Sequence, residues 1–318
     1  MKEILILHYS QSGQLTRILE NILRPLQQDP AVNLTFADIT PADAYPFPWD
    51  GTEFFDTFPE TFRQIPEAVR PLPDSVINKR YDLIILGYPI WFLSPARPVS
   101  SFLQTEQAAR LFADTPVVTV IGCRNMWLQA QEKMKQLLLK VKAKLAGNIV
   151  LADRHLNHVS VITIQHWMFT GKKDSYLGIF PKPGVSEKDI SQSVKFGEPI
   201  REALHGNNFG DLQKNLLRKG AVQVKSFLIT VEKRAVILFD KWATFIRKKG
   251  NQGEAKRHGR VKMFKFYLLF AIWFIAPVVF ILFLLTFLPM SAKIKRDKDY
   301  YSSVKLKTSK KRIQNHST

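Results

Sequence analysis

Two short segments carry residue types able to hold an anionic, ring-bearing ligand. The first reads Tyr9-Ser10-Gln11-Ser12-Gly13-Gln14-Leu15-Thr16. It follows an apolar run at 4–9 and opens a helical pattern, so the hydroxyls of Ser10 and Ser12 stand where a helix N-terminus directs free N–H groups and its positive dipole end. Gly13 lets the backbone come close to a phosphate. This cradle has no lysine, and the absence of G-x-G-x-x-G and of a Walker lysine argues against dinucleotide and nucleoside-triphosphate folds. Alone, such a turn serves helix capping as readily as ligand binding.

The second segment, Gly87-Tyr88-Pro89-Ile90-Trp91-Phe92, ends a buried apolar run at 83–87 and leads into Ser94-Pro95-Ala96-Arg97-Pro98. Both segments belong to a larger pattern. Short apolar runs at 4–9, 32–37, 83–87, 117–122 and 148–152 alternate with helical stripes, which predicts βαβ units: an α/β, doubly wound, five-stranded parallel sheet of order 2-1-3-4-5. The stripe at 14–26 places Leu15, Ile18, Leu19, Ile22 and Leu23 on one face; 126–145 repeats this with a Lys-rich outer face, and a last helix starts at Ser186 with a capping box to Asp189. In that strand order the first and third strands flank the switch point, and a ligand lies beyond their carboxyl ends. A phosphate cradle after one and aromatic rings after the other would hold the two ends of flavin mononucleotide (FMN).

Two stretches exceed a minimal unit of this kind. Residues 41–75 carry seven prolines together with Tyr45, Phe47, Trp49, Phe54, Phe55, Phe58 and Phe62, and that proline spacing forbids a long helix. Residues 159–183 hold Trp167, Met168 and Phe169. Both are expected to form aromatic walls at the carboxyl edge of the sheet.

Charge divides the chain. Residues 1–210 hold 22 Lys+Arg and 21 Asp+Glu, whereas 211–318 hold 24 and 6, so +18 of the net +19 lies in the last third. Basic residues around an apolar run point to anionic lipid head groups rather than to nucleic acid. The run at 266–288 has 23 residues and no charged side chain; as a helix it would measure about 34 Å, enough for a hydrocarbon core of about 30 Å. Ahead of it, 211–250 reads as a basic amphipathic helix that either lies in the lipid interface or docks on the domain. Eight Lys+Arg at 247–265 and nine at 293–312 draw both flanks to the cytosol, and Pro277 admits either a crossing helix or a re-entrant dip. The tail, 289–318, is expected to be disordered. The domain over 1–210 is expected on the cytosolic side of the cytoplasmic membrane, since the chain enters a strand pattern straight after Met1-Lys2-Glu3. Cys123 is the one cysteine, which excludes intrachain disulfides and multi-cysteine metal sites; no metal is expected.

The two motifs resemble those of the flavodoxin-like superfamily, which includes flavodoxins and NAD(P)H-dependent FMN reductases. Ser10-Gln11-Ser12-Gly13 is similar to its T-x-T-G phosphate loop, and Gly87-Tyr88-Pro89-Ile90-Trp91 to its G-x-P-x-W loop beside the isoalloxazine. The likeness covers about residues 1–205 and departs at Leu15, where the family loop often has Thr or Asn. It implies FMN held by Ser10, Gln11, Ser12, Gly13, Gln14, Leu15 and Thr16 at the phosphate, and by Tyr88, Pro89, Ile90, Trp91, Phe92, Cys123 and Arg124 around the ring. A narrower resemblance rests on Phe47-Pro48-Trp49-Asp50, Trp91-Phe92-Leu93-Ser94-Pro95, Ile121-Gly122-Cys123-Arg124-Asn125-Met126-Trp127 and Gly147-Asn148-Ile149-Val150-Leu151-Ala152-Asp153-Arg154-His155. These are similar to flavodoxin-like proteins known as dialkylresorcinol condensing enzymes, of dialkylresorcinol and flexirubin pathways.

That resemblance implies a partner ketosynthase that makes a cyclohexanedione and, for this chain, a flavin-dependent oxidation of the ring to the resorcinol. Condensation itself finds no Cys-His-Asn arrangement here. Aromatisation needs a hydride acceptor and a base: His155 and Asp153 are the candidate bases, with His158 nearby, and Arg124 is placed to steady a developing enolate. Asp153 with Arg154 as a surface pair, and Arg124 as a helix cap, are the structural alternatives. A lipophilic substrate would partition into lipid, which gives the aromatic walls and the membrane segment one rationale. Two other functions fit the same motifs: a membrane-bound NAD(P)H-quinone reductase, and a flavin-less scaffold that tethers a ketosynthase.

Overall fold

The structure, a computed structural model, describes residues 1–306. Ile4, Leu5, Ile6 and Leu7 are all fully buried, as in a strand covered on both faces. This strand is β1 (Lys2–His8); it is followed by α1 (Gln14–Gln27), β2 (Val32–Asp38), and three short helices, α2 (Gly51–Asp56), α3 (Phe58–Arg63) and α4 (Asp74–Ile77), set between the prolines. Next come β3 (Leu83–Trp91), β4 (Ser94–Pro95), α5 (Arg97–Phe102), α6 (Glu106–Phe112), β5 (Pro116–Cys123), α7 (Leu128–Lys140), β6 (Lys144–Ala152) and α8 (Asn157–Thr170). α9 (Glu187–Gln192) and α10 (Gly197–His205) complete the unit.

The sheet runs β2-β1-β3-β5-β6, all parallel, with β4 antiparallel on the end of β3. The expectation of five strands in the order 2-1-3-4-5 is thus corrected to six. The chain reverses at Phe92 and Leu93, both left-handed (φ 47° and 58°), in a two-residue turn that pairs Trp91 with Ser94. The added strand shifts the numbers of the two parallel strands after it. β1 and β3 adjoin at the switch point, paired from Ile4↔Leu83 to His8↔Gly87.

The stripe of α1 is buried at Leu15, Ile18, Leu19, Ile22, Leu23 and Leu26. It lies so close to the sheet that a Cβ at Gly87 would stand 2.8 Å from Leu19. Beside it, Gly197 at the start of α10 admits the Ile22 carbonyl, which a Cβ would meet at 2.2 Å. Ser186 caps α9, its Oγ accepting from Asp189 N at 3.0 Å, as the capping-box spacing requires. α7 covers the other face, where Gln131 hydrogen-bonds Thr119 and the Tyr88 hydroxyl.

The single basic helix expected over 211–250 is corrected to two, α11 (Leu212–Arg218) and α12 (Ser226–Arg247). Gly220, at φ 81°, turns the chain between them, and Ala221 then accepts Val150 N at 2.8 Å, laying the link along β6. Leu212, Leu216, Leu228 and Ile229 share one core with the sheet, so these helices are docked on the domain. Glu232 of α12 is fully buried and accepts from Leu128 N (3.3 Å) and Gln129 N (2.8 Å) at the first turn of α7, where the dipole favours an anion.

α13 (His258–Phe270) and α14 (Ala276–Phe287) join through a wide turn at Ala271–Ile275. Pro277, without an N–H, opens the helical ladder there. With the single turn at Ala255–Arg257 ahead of α13 they make a 33-residue helix, Ala255–Phe287, long and apolar enough to cross a membrane, with 6% of its apolar window buried. The tail expected to be disordered is corrected over α15 (Ser291–Ser302), a helix with Ile294 and Tyr301 buried; its remainder, 307–318, lies outside the described residues.

Candidate functional site

The phosphate-sized feature is the start of α1. Gly13 takes φ 74° and no side chain caps the helix; a Cβ at Gly13 would have nothing within 4 Å, so the turn is open there. Ser10 Oγ, three residues ahead, is buried without a hydrogen-bond partner. A buried hydroxyl left so costs about 1–3 kcal/mol, which an anion at this helix terminus would offset. Ser10 and Gly13 therefore fit a phosphate, and Ser12 lies between them in the same loop.

The side chains of the other expected loop residues are engaged elsewhere, so a phosphate here would meet their backbone N–H groups. Gln11 Nε2 donates to the Pro46 carbonyl at 2.8 Å while its Oε1 accepts from the Tyr9 hydroxyl, which ties the 41–75 segment to the loop. Gln14 clamps Val185, accepting from its N–H at 3.0 Å and donating to its carbonyl at 3.2 Å. Leu15 is core, 4% exposed. Thr16 Oγ1 lies 3.0 Å from His8 Nε2, and His8 Nδ1 lies 3.1 Å from Asp38 Oδ1; burial holds the imidazole below its usual pKa in spite of that carboxylate.

At the ring end the structure rearranges the expected wall. Tyr88 is fully buried with its hydroxyl on Gln131 under α7, so its assignment as a flavin contact is corrected: alternate residues of β3 face opposite sides of the sheet. Trp91 is 6% exposed, flanked by Tyr45 at 5.1 Å, Trp49 at 5.4 Å and Tyr9 at 5.7 Å between ring centroids. Pro89, Ile90 and Phe92 are half-buried at the rim, as are Cys123 and Arg124 after β5. Tyr45 and Trp49 come from the proline-rich segment that the sequence marks as an aromatic wall; nothing in the sequence says that they close over Trp91. A cleft of about 360 Å³ opens instead on the β2 side of the loop, lined by His8, Tyr9, Ser10, Asp38, Tyr45 and Phe47 among others.

Arg124 and Asp153 follow the ends of β5 and β6, with His155 two residues beyond Asp153. Arg124 Nη1 donates to Asn157 Oδ1 at 2.9 Å, and burial lowers its pKa to about 10 in spite of Asp153, so it keeps its charge at neutral pH. Burial pushes the Cys123 thiol up, leaving a protonated, unreactive group. Asp153 is buried and accepts from His155 N (2.9 Å) and Ser160 Oγ (2.7 Å), so that its two oxygens fasten the β6–α8 turn. His155 is exposed. His158 points to the apolar helix, its Nε2 3.1 Å from the Ile272 carbonyl.

The aromatic wall is continuous with that helix. Phe92 packs on Phe54 (4.8 Å) and Phe58 (5.3 Å), and Phe58 stacks on Phe264 of α13 at 3.8 Å. Among the described residues no cluster of His, Cys, Asp and Glu is placed to hold a metal ion.

No protein-family model matches the chain, and no curated protein matches it. Among solved structures, a flavoprotein in complex with FMN from Lactobacillus acidophilus is similar over 47% of this chain and 93% of its own, at 19% identity and a TM-score of 0.37. Oxidised flavodoxin 1 from Bacillus cereus is similar over 62% of this chain and 95% of its own, at 11% identity and a TM-score of 0.34. Similarity of that order assigns neither cofactor nor reaction to this chain. Its own strand order, with an open helix N-terminus beyond β1 at the switch point, gives it a flavodoxin-like α/β fold.

Proposed function

We propose that the chain is an FMN-dependent oxidoreductase acting on a lipophilic ring at the cytosolic face of a membrane. One observation carries this: the uncapped α1 terminus with the unpartnered Ser10 Oγ stands beside an aromatic wall that runs without a break from Trp91 and Phe92 to Phe264 of the apolar helix. Ser10, Ser12, Gly13 and the first N–H groups of α1 would hold the phosphate. The ring would lie on the half-buried rim of Pro89, Ile90, Phe92 and Arg124. Bound there, the flavin supplies a hydride acceptor. Arg124, charged and fixed by Asn157, steadies negative charge on a substrate oxygen, while His155 takes the proton. Phe54, Phe55 and Phe92 keep water from the apolar part of the substrate. The resemblance of the segments around Trp49, Trp91, Cys123 and Asp153 narrows the substrate to a cyclohexanedione bearing alkyl chains, aromatised to a dialkylresorcinol beside a ketosynthase; a membrane-bound NAD(P)H-quinone reductase is the alternative.

The covered state of Trp91 favours a second function, a scaffold that keeps the sheet and binds no flavin. A visible spectrum of the full chain in detergent separates the two. Leu212, Leu216 and Leu228 belong to the sheet's core, so truncation at 210 is avoided. Flavin bands near equimolar, lost in Ser12→Asp with the fold intact, support the enzyme, since a carboxylate there repels the phosphate dianion. A colourless chain that takes up no added FMN supports the scaffold.

A further inference from the structure

The apolar helix is held at both ends by the domain it leaves. At its start Arg257 is buried between Asp56 (2.6 Å) and Glu60 (2.8 Å), and Val261 and Phe264 are buried beside α2 and α3. At its end the chain turns at 288–290 and α15 returns over 12 residues, about 18 Å. There Lys233 meets Asp297 at 2.7 Å, Gln213 donates to the Ser302 carbonyl at 2.8 Å, Tyr300 bonds Glu132, and Tyr301 is buried beside Gln129.

Between these ends the helix runs antiparallel along α12. Trp242, late in α12, meets Tyr267 at 5.0 Å, and Phe227, in its first turn, meets Phe280 at 5.0 Å and Phe283 at 5.6 Å. These contacts are local: the helix is otherwise exposed nearly all round, with Phe266, Phe270, Phe274, Ile281, Leu285 and Leu288 in one apolar stripe and Val278 and Leu284 exposed beyond it. Lys248, Lys249 and Lys262 are exposed at one end, and Lys293, Lys295 and Arg296 at the other. An apolar stripe with basic ends is complementary to a bilayer surface bearing acidic head groups.

A crossing helix is incompatible with this arrangement. It would carry Asp297, Tyr301 and Ser302 to the far side, away from Lys233, Gln129 and Gln213, and take the basic residues of α15 through the hydrocarbon. We infer that the helix attaches the chain monotopically: it lies in one leaflet, with both of its ends and the flavodoxin-like domain on the same face of the membrane. The inference rests on the membrane attachment proposed above and fixes its topology.

The test uses the full chain in a Cys123→Ala background with single exposed cysteines, Glu202→Cys in the domain and Asp299→Cys in α15. In intact spheroplasts an impermeant maleimide labels neither; after permeabilisation it labels both, and the chain sediments with membranes. Labelling of Asp299→Cys alone in intact spheroplasts overturns the inference while leaving membrane attachment in place. A chain that stays in the supernatant after detergent-free lysis overturns the attachment itself, the stripe then being covered by a second copy. Lys295→Cys provides a second site in α15, read in the same way.

Discussion

Two titratable groups, the fully buried Glu232 of α12 and the half-buried Lys133 of α7, oppose each other, and their opposition gives a prediction with a sign. Glu232 is fully buried; desolvation raises its pKa from 4.5 to about 8, against the pull of the Gln129, Leu128 and Trp127 N–H groups. The native chain therefore keeps a proton that the unfolded chain has released. The stability this gives is complete below pH 4.5 and lost as pH rises through 8. Lys133 behaves in the opposite sense. Its ammonium lies 2.7 Å from Ser94 Oγ and 3.8 Å from the Phe62 ring centroid, and burial lowers its pKa from 10.5 to about 7 in spite of Asp240. The native chain sheds a proton that the unfolded one retains, so stability rises with pH above 7. At 1.36 kcal/mol per pH unit, going from pH 6 to pH 9 removes about 2.7 kcal/mol through Glu232 and restores about 2.7 kcal/mol through Lys133. The wild-type chain should then have about the same Tm at pH 6 and pH 9, with a shallow minimum of about 1.4 kcal/mol between them. Glu232→Gln should gain on the order of 5 °C from pH 6 to 9, Lys133→Met should lose as much, and the double variant should be flat. Tryptophan fluorescence melts of the detergent-solubilised full chain measure all four. Single variants whose Tm runs parallel to wild type would refute the reasoning, since neither group would then differ in protonation between folded and unfolded chain.

Arg257→Met leaves Asp56 and Glu60 buried without their cation and should cost about 3–5 kcal/mol, read as a lowered denaturation midpoint; the loss should shrink at low pH, where the carboxylates protonate. Gly13→Ala meets no neighbouring atom but forces a left-handed alanine, so it should cost about 1–2 kcal/mol and weaken FMN binding; an unchanged flavin affinity in titration would show that the turn does not hold the phosphate.

The central sheet was legible because its physics is local. Ile4, Leu5, Ile6 and Leu7 are buried on both faces and α1 repeats apolar residues at helical spacing, so pattern and structure agree without reference to the rest of the chain. What escaped is set by contacts distant in sequence. β4 exists because Phe92 and Leu93 accept left-handed backbone, and neither residue type advertises it. Asp153 closes a strand as a catalytic carboxylate might be expected to, yet its bonds to His155 N and Ser160 Oγ make it a turn fastener. Gly220 is the visible sign that 211–250 breaks, but Leu217 and Val224 on either side of it stand seven apart, two full helical turns, so the stripe reads as unbroken. The apolar helix has hydrophobic residues all round, so periodicity shows neither which face docks nor that α15 folds back.

The cover over Trp91 decides how the wall serves the ring. Tyr45 and Trp49 sit on the indole through edge contacts within 5.1–5.4 Å, and Gln11 ties their segment to the β1–α1 loop through the Tyr45 and Pro46 carbonyls. A ligand in the cradle thus touches the same loop that holds the cover. If flavin binds only when the cover is displaced, its apparent Kd equals the intrinsic Kd divided by the open fraction. Trp49→Ala should then tighten FMN binding even as it removes a buried indole worth about 3–5 kcal/mol of stability. Titration followed by flavin fluorescence quenching measures the first effect and thermal unfolding the second. Weaker binding together with lower stability would place Trp49 in contact with the flavin, and the cover would be part of the site rather than an obstacle to it.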